Sequence, residues 1–266
     1  MPKKKLKKPI ETGFVPGIYN YCDRWCEKCE QQQRCMSFVM SKKMEEKGGV
    51  DFDEEELDGK GNVWSKLKHI FESTYEVLHE LAEERGINVE DIYTSENINR
   101  EFWGEDFEHQ LPSKQLNARI EMSDIIRMCL IYEHLTDKYL DDILELFDKK
   151  KKGENKNLLE EAFLTIDWYQ NLIQSKMRRA LYAYFQRIHS NHPLEDYNGS
   201  AKVAFIALDR SVESWKIINE YFPTCKREIS HLQVILQQLR MDMERQFPSA
   251  RTFLRPGFET SPEAIN

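Results

Sequence analysis

Four of the six cysteines in this chain fall within fourteen residues, as Cys22-x3-Cys26-x2-Cys29-x5-Cys35. No other feature restricts the fold of the N-terminal region as much, because four thiols so close together can converge from a single loop and helical turn. Thiolates are soft ligands that suit zinc and iron–sulfur clusters, and four of them fill the coordination sphere of either. Reduced cysteines that serve only as small hydrophobes are scattered and buried, whereas these are flanked by Asp23, Arg24, Glu27, Lys28, Glu30 and the run Gln31 to Gln33. A secreted location would favour two local disulfides instead.

The compartment therefore matters. The opening Met1 to Pro9 is lysine-rich, but Ile10 to Tyr21 contains no apolar run and no small-residue cleavage site, so a secretory signal is not expected. Nor does any stretch approach the roughly 20 apolar residues of a membrane-spanning helix. A cytoplasmic, membrane-free protein is the expectation, and in a reducing cytoplasm clustered thiols read as metal ligands. The net charge of −8 argues against a protein whose main task is to hold a phosphate backbone. Nucleic acid is thus a secondary prospect, confined to the lysine-rich tail and the cluster, while a protein partner is left open.

With 40% apolar and 32% charged residues among 266, the chain has the composition of a globular protein with well solvated helices. Residues 1–16 read as a basic flexible tail, 17–40 as the four-cysteine module, 41–62 as a charged, glycine-rich linker, 63–250 as a helical bundle and 251–266 as a C-terminal tail. Helical spacing of Val63, Leu67, Ile70, Phe71, Leu78 and Leu81 predicts a first long helix, stopped by Gly86. The region 87–112, with Tyr93, Phe102, Trp103 and Phe107 among acids, is mixed. A second helix is predicted over 117–147, and a third over 157–189 with Leu159, Phe163, Ile166, Ile173, Met177, Ala180 and Tyr184 on one side. A fourth should begin after Gly199 with Ser200 as N-cap and end at Phe222-Pro223, and a fifth should run from near Thr224 to Phe247. No strand alternation and no internal repeat is evident. The fold class is all-α: about five long antiparallel helices with an N-terminal cysteine-rich metal-binding module.

The last three cysteines, Cys26-Glu-Lys-Cys29-Glu-Gln-Gln-Gln-Arg-Cys35, resemble the Cys-x2-Cys-x5-Cys end of the four-iron loop in endonuclease-III-type DNA glycosylases and in RecB-type iron–sulfur nucleases. The resemblance covers this loop alone and implies a 4Fe-4S cluster without the enzymology. Cys22-x3-Cys26-x2-Cys29 also has the spacing of the radical S-adenosylmethionine enzymes. Here, however, Lys28 stands where those enzymes usually carry an aromatic residue, no α/β pattern follows, and Cys35 as fourth ligand would leave no iron open. Paired zinc-ribbon knuckles are missing too, so iron–sulfur is placed ahead of zinc. Arg24, Lys28 and Arg34 are positioned in sequence to offset the charge of a four-thiolate site, and Trp25 either shields it or packs onto the bundle.

Within the helices, Glu121, Asp124, Asp167, Asp209, Glu213 and the pair Glu228-x-x-His231 invite comparison with di-iron bundles. Those need a Glu-x-x-His pair on each of two helices, and one such pair is present, so solvated faces and ion pairs are the simpler reading. Asp167, Lys176, Arg179, Asp209 and Arg210 adjoin apolar positions and suggest a buried ionic network or a polar pocket. An enzyme whose site lies among Asp167, Asp209, Arg210 and His231 is therefore kept as an alternative, although His134 and His231 have no serine or cysteine nucleophile placed beside them. Cys129 reads as core and Cys225 as a solitary exposed thiol. Residues 199–215 and 247–258 resemble segments of uncharacterised bacterial helical proteins that also begin with a cysteine cluster. That resemblance implies a metal site and no particular chemistry.

The reading that follows is a metal-binding helical protein that holds an iron–sulfur cluster or zinc through Cys22, Cys26, Cys29 and Cys35, with a redox, sensing or interaction role.

Overall fold

The structure, a computed structural model, describes residues 13–46, 60–84, 86, 114–149, 155–190 and 196–259, with backbone alone for 60–67, 69, 70, 187–190 and 196. Among the described residues every regular element is helical, and no helix is long and apolar enough to cross a membrane. The chain divides into two compact units, one of residues 1–19 and 26–111 and the other of residues 20–25 and 112–266.

In the first unit, α1 (Met36–Glu46) pairs with α2 (Lys60–Glu84). Lys43 Nζ meets Glu84 Oε1 at 2.5 Å, and Thr74 lies against Met44. Residues 41–46, expected as the start of a linker, instead continue α1, because Met36, Phe38, Val39 and Met40 begin a helix that the lysines and glutamates extend without a breaker. The rest of that expected linker up to residue 59 lies outside the described residues, as do the basic tail to residue 12 and the mixed region from residue 87 to 113. Among the described side chains of α2, Val77 and Leu81 are buried, whereas Phe71 and Leu78, expected to face inward, are exposed; Val63, Leu67 and Ile70 of the same expected stripe lie outside the described side chains. α1 covers one side of α2, and Phe71 and Leu78 point elsewhere. Gly86, at φ +65°, supplies the left-handed residue that ends the helix.

The second unit contains α3 (Lys114–Glu121), α4 (Asp124–Lys149), α5 (Lys156–Ser190), α6 (Asp196–Tyr221) and α7 (Lys226–Gln246). Each long helix packs on the next, and α4 also packs on α7, so the four close a ring around one core. Side-chain pairings across α5 and α6 show the antiparallel order. Phe163 meets Phe222, Tyr169 meets Arg210 and Tyr184 meets Tyr197, so numbers fall along one helix as they rise along the other. Fully buried Tyr132, Tyr169, Phe205, Trp215 and Phe222 supply the bulk of the core, and apolar burial of this kind contributes about 25 cal/mol per Å². Deep within it, Trp215 Nε1 donates to Tyr132 Oη at 3.0 Å, which satisfies the indole in an apolar setting.

Two helix boundaries depart from expectation. The single helix predicted over 117–147 is broken at Met122-Ser123, where Ser123 Oγ accepts the amide of Ile126 at 3.3 Å and caps a new start. α6 begins at Asp196, so Gly199 and Ser200 lie inside it and Ser200 is buried rather than capping. The remaining boundaries of α5, α6 and α7 fall within two residues of the pattern. Of the five expected long helices, four build this second unit, and the fifth, α2, belongs to the first.

Candidate functional site

Between Cys26 and Cys35 the backbone is a succession of tight turns. The 3₁₀ turn Cys26–Lys28 is closed by the amide of Cys29 donating to Cys26 O at 3.1 Å, and side chains three apart on such a turn eclipse one another. Gln32 Nε2 also donates to Cys26 O, at 2.6 Å, and folds the following loop back on the turn. A second 3₁₀ turn, Gln32–Arg34, ends where the amide of Cys35 donates to Gln32 O. Cys35 O in turn accepts the amide of Val39, so this cysteine stands at the N-terminus of α1, the end at which the helix dipole is positive. The amide of Gln31 donates to Cys29 Sγ at 3.4 Å, the kind of backbone N–H to sulfur bond that tunes cysteine-ligated metals. All four clustered cysteines are half-buried. Among the described residues, no group of three or more His, Cys, Asp or Glu side chains is gathered as a metal ion would require.

Cys22 lies in the second unit, in the segment 20–25 that is fastened along α5 and α6. The fastening begins at Tyr21, whose ring occupies the space that a side chain on Gly199 would fill: a Cβ there would sit 2.3 Å from one ring carbon and 3.0 Å from Phe253. Asn20 receives two cations from α5, Lys176 Nζ on its carbonyl at 3.3 Å and Arg179 Nη1 on Oδ1 at 3.2 Å. Asp23 Oδ2 accepts the Tyr169 hydroxyl at 2.7 Å and Arg210 Nη1 at 2.8 Å, while Trp168 Nε1 donates to Asp23 O at 3.0 Å. Trp25 stacks on Trp168 at 5.3 Å and sets its ring edge-on to Tyr169 at 5.7 Å. Of its two expected roles, Trp25 thus takes the packing one. Between these anchors Arg24 adopts φ +59°, left-handed backbone that glycine occupies more readily.

The electrostatics of the segment follow from this packing. Lys176 is 6% exposed, and burial lowers its pKa from the usual lysine value. The negative charge of a Cys22 thiolate and of Asp23 works against that fall, while Arg179 and Arg24 reinforce it. Burial raises the Tyr169 hydroxyl, and its bond to Asp23 raises it further, so it stays a neutral donor. For Arg210, burial acts to lower the pKa, but Tyr169 and Asp23 outweigh it and the value rises.

The polar residues expected to share one pocket are distributed. Asp209 Oδ1 pairs with Arg240 at 2.6 Å and Oδ2 with Arg251 at 3.0 Å, which ties the 3₁₀ turn Ala250–Thr252 to α6 and α7. Its neighbour Arg210 points the other way, to Asp23. Asp167 is exposed and accepts only a long bond from Gln170 at 3.4 Å among its described hydrogen bonds, and His134 and His231 are exposed on α4 and α7. Glu121 pairs with Arg178, Asp124 with Arg127 and Glu213 with Lys216, so three of the acids considered for a di-iron site are surface ion-pair partners. A groove of about 540 Å³ between α6 and α7 is lined by Lys216, Asn219, Glu220, Gln233 and Arg240 among others, and not by Asp167, Asp209, Arg210 or His231. Cys129 is core, as expected, and burial pushes its thiol up to about 12. Cys225, expected to be exposed, packs half-buried against the core from the turn Pro223–Cys225.

The partners of segment 20–25 were not legible as a site. Asp23 reads as a flank of the cysteines, and nothing in the local sequence of Trp168, Tyr169 or Gly199 points to a segment so distant in the chain, 145 residues from Trp168 and 146 from Tyr169. Comparison with known proteins adds no family: no family model, no curated protein and no solved structure matches the chain.

Proposed function

We propose that this chain is a metal-binding helical protein of the cytoplasm that holds an iron–sulfur cluster or a zinc ion through Cys22, Cys26, Cys29 and Cys35, and uses it in a redox, sensing or interaction role. The observation that carries the reading is the run of turns from Cys26 to Cys35, in which a thiol recurs at each turn and Cys29 Sγ already accepts a backbone amide. Short ligand loops of this kind take their final geometry from the metal, since binding and local folding are coupled. With four thiolates the coordination sphere is filled, which suits holding or signalling better than catalysis at the metal.

Anaerobic purification followed by metal analysis tests the proposal. A brown protein with broad absorption near about 400 nm identifies iron–sulfur, and a colourless protein with one zinc per chain identifies zinc. Serine substitution of Cys29 or Cys35 is expected to abolish metal retention while the far-ultraviolet helical signal persists. Absence of both metals, or retention unchanged by those substitutions, overturns it.

A further inference from the structure

Segment 20–25 is held on α5 and α6 in the manner of a bound peptide. Its flanks on both sides, residues 1–19 and 26–111, belong to the other compact unit, so the segment does not continue the chain of the unit on which it packs. None of its six residues is fully buried, whereas Tyr169, Lys176 and Gly199 beneath it are. Complementary groups fasten it: the Tyr21 ring over the bare backbone of Gly199, the Asn20 carbonyl on Lys176, the Asp23 carboxylate on Tyr169 and Arg210, and the Trp25 indole on Trp168. Arg24, left-handed in the middle of the segment, works against the seating. A surface segment with so little buried apolar contact opens at a lower free energy than the helices it lies on.

The face beneath is set by the helices themselves. Trp168, Tyr169, Lys176 and Arg179 stand on α5 and Arg210 on α6. Three cations and two aromatic rings give this face the charge and stacking surface that an acidic, aromatic peptide requires. Arg210 and the Tyr169 hydroxyl take a carboxylate, and Trp168 takes an aromatic ring two residues further along the peptide, as the spacing of Asp23 and Trp25 shows. We infer that the α5–α6 face is a docking surface for an extended acidic segment of a partner protein, one with an Asp-x-Trp pattern, and that segment 20–25 occupies it in cis as a competitor. A tethered competitor meets its site at an effective concentration of about a millimolar. A free segment therefore binds only the fraction of chains whose own segment has lifted. No metal takes part, so this reading and the proposed function fail independently.

The test titrates the full chain into a fluorescein-labelled peptide of residues 18–27, carrying Cys22→Ser and Cys26→Ser, and follows anisotropy. In the chain, Trp25→Ala removes the stack that holds the tethered segment, and the variant is expected to bind the peptide about tenfold more tightly than wild type. Adding Arg210→Gln to that chain, or Asp23→Asn to the peptide, is expected to weaken binding about tenfold, since each removes a charged hydrogen-bond partner. Absence of saturable binding to folded Trp25→Ala, equal affinity for wild type and Trp25→Ala, or indifference to Arg210→Gln overturns the inference. If Trp25→Ala does not fold, Tyr21→Ala takes its place with the same readings. A wild-type chain that dimerises in sedimentation, with the dimer lost in Arg210→Gln, assigns the face to a second copy and overturns the partner.

Discussion

The hydroxyl of Tyr169 donates to Oδ2 of Asp23 at 2.7 Å across 146 positions of sequence, and Arg210 Nη1 shares the same carboxylate oxygen. One carboxylate thereby joins segment 20–25 to both α5 and α6. Tyr169 is fully buried, so loss of its hydroxyl removes a bond from the inner side of Asp23, whose outer side stays open to solvent. Tyr169→Phe is expected to lower folded stability by about 1 kcal/mol. Combined with Asp23→Asn in a double-mutant cycle read by urea unfolding, the two changes should be clearly non-additive. Strict additivity would show that the two groups do not interact in solution.

At Gly199 two effects of opposite sign compete. Alanine in place of glycine inside a helix is ordinarily stabilising by about 1 kcal/mol. Here the added methyl meets the Tyr21 ring at 2.3 Å and Phe253 at 3.0 Å, and overpacking of that severity costs about 1–3 kcal/mol. Gly199→Ala is therefore expected to destabilise, and Tyr21→Ala in the same chain should restore the stabilising sign. A single Gly199→Ala variant that melts above wild type would refute the close approach.

Arg24 carries left-handed strain for a non-glycine residue. Arg24→Gly should relieve about 1 kcal/mol of it, partly offset by the greater freedom of glycine in the unfolded chain. Arg24→Val, with a branched Cβ, should lose stability. Equal midpoints for the two variants in thermal unfolding would contradict the backbone geometry.

Burial pushes the thiol of Cys129 from 9.0 up to about 12, with Glu133 adding to the shift. Between those values the unfolded chain releases this proton and the folded chain keeps it. Stability therefore falls as pH rises above about 9. Folded protein at pH 9 should leave Cys129 unmodified by iodoacetamide, with labelling only in denaturant, as read by mass spectrometry. Substituting Cys129→Ala should make the alkaline decline in stability shallower. Prompt labelling in the folded state would disprove the burial.

How far the sequence reaches depends on whether the deciding interaction is local. The periodic apolar residues of α5, from Leu159 to Tyr184, specify a helix because the pattern and the packing coincide, and the boundaries follow to within a residue. The break at Ser123 was within reach, since serine is a strong N-cap, but unbroken apolar periodicity on both sides concealed it. Gly199 looked like a helix start because glycine usually punctuates chains. Its place inside α6 is explained by Tyr21, which no local pattern connects to it. The cysteine run was visible at once, while the groups that hold Cys22 against the bundle come from the middle of α5 and α6. Asp209, which suggested a pocket, proved to be a partner of Arg240 and Arg251, and Glu121, which suggested a di-iron site, a partner of Arg178, because long helices with many charges satisfy them along and between their faces.

The stack of Trp25 on Trp168, with planes 20° apart and centres 5.3 Å apart, makes the seating of segment 20–25 optically visible. Two indoles held so close couple their electronic transitions and give a paired, oppositely signed circular-dichroism band that isolated tryptophans lack. Trp215, sealed in the core against Tyr132, senses the melting of the bundle by its emission instead. Detachment of the segment and unfolding of the helices beneath it are thus separable by colour within one heating experiment on unlabelled protein.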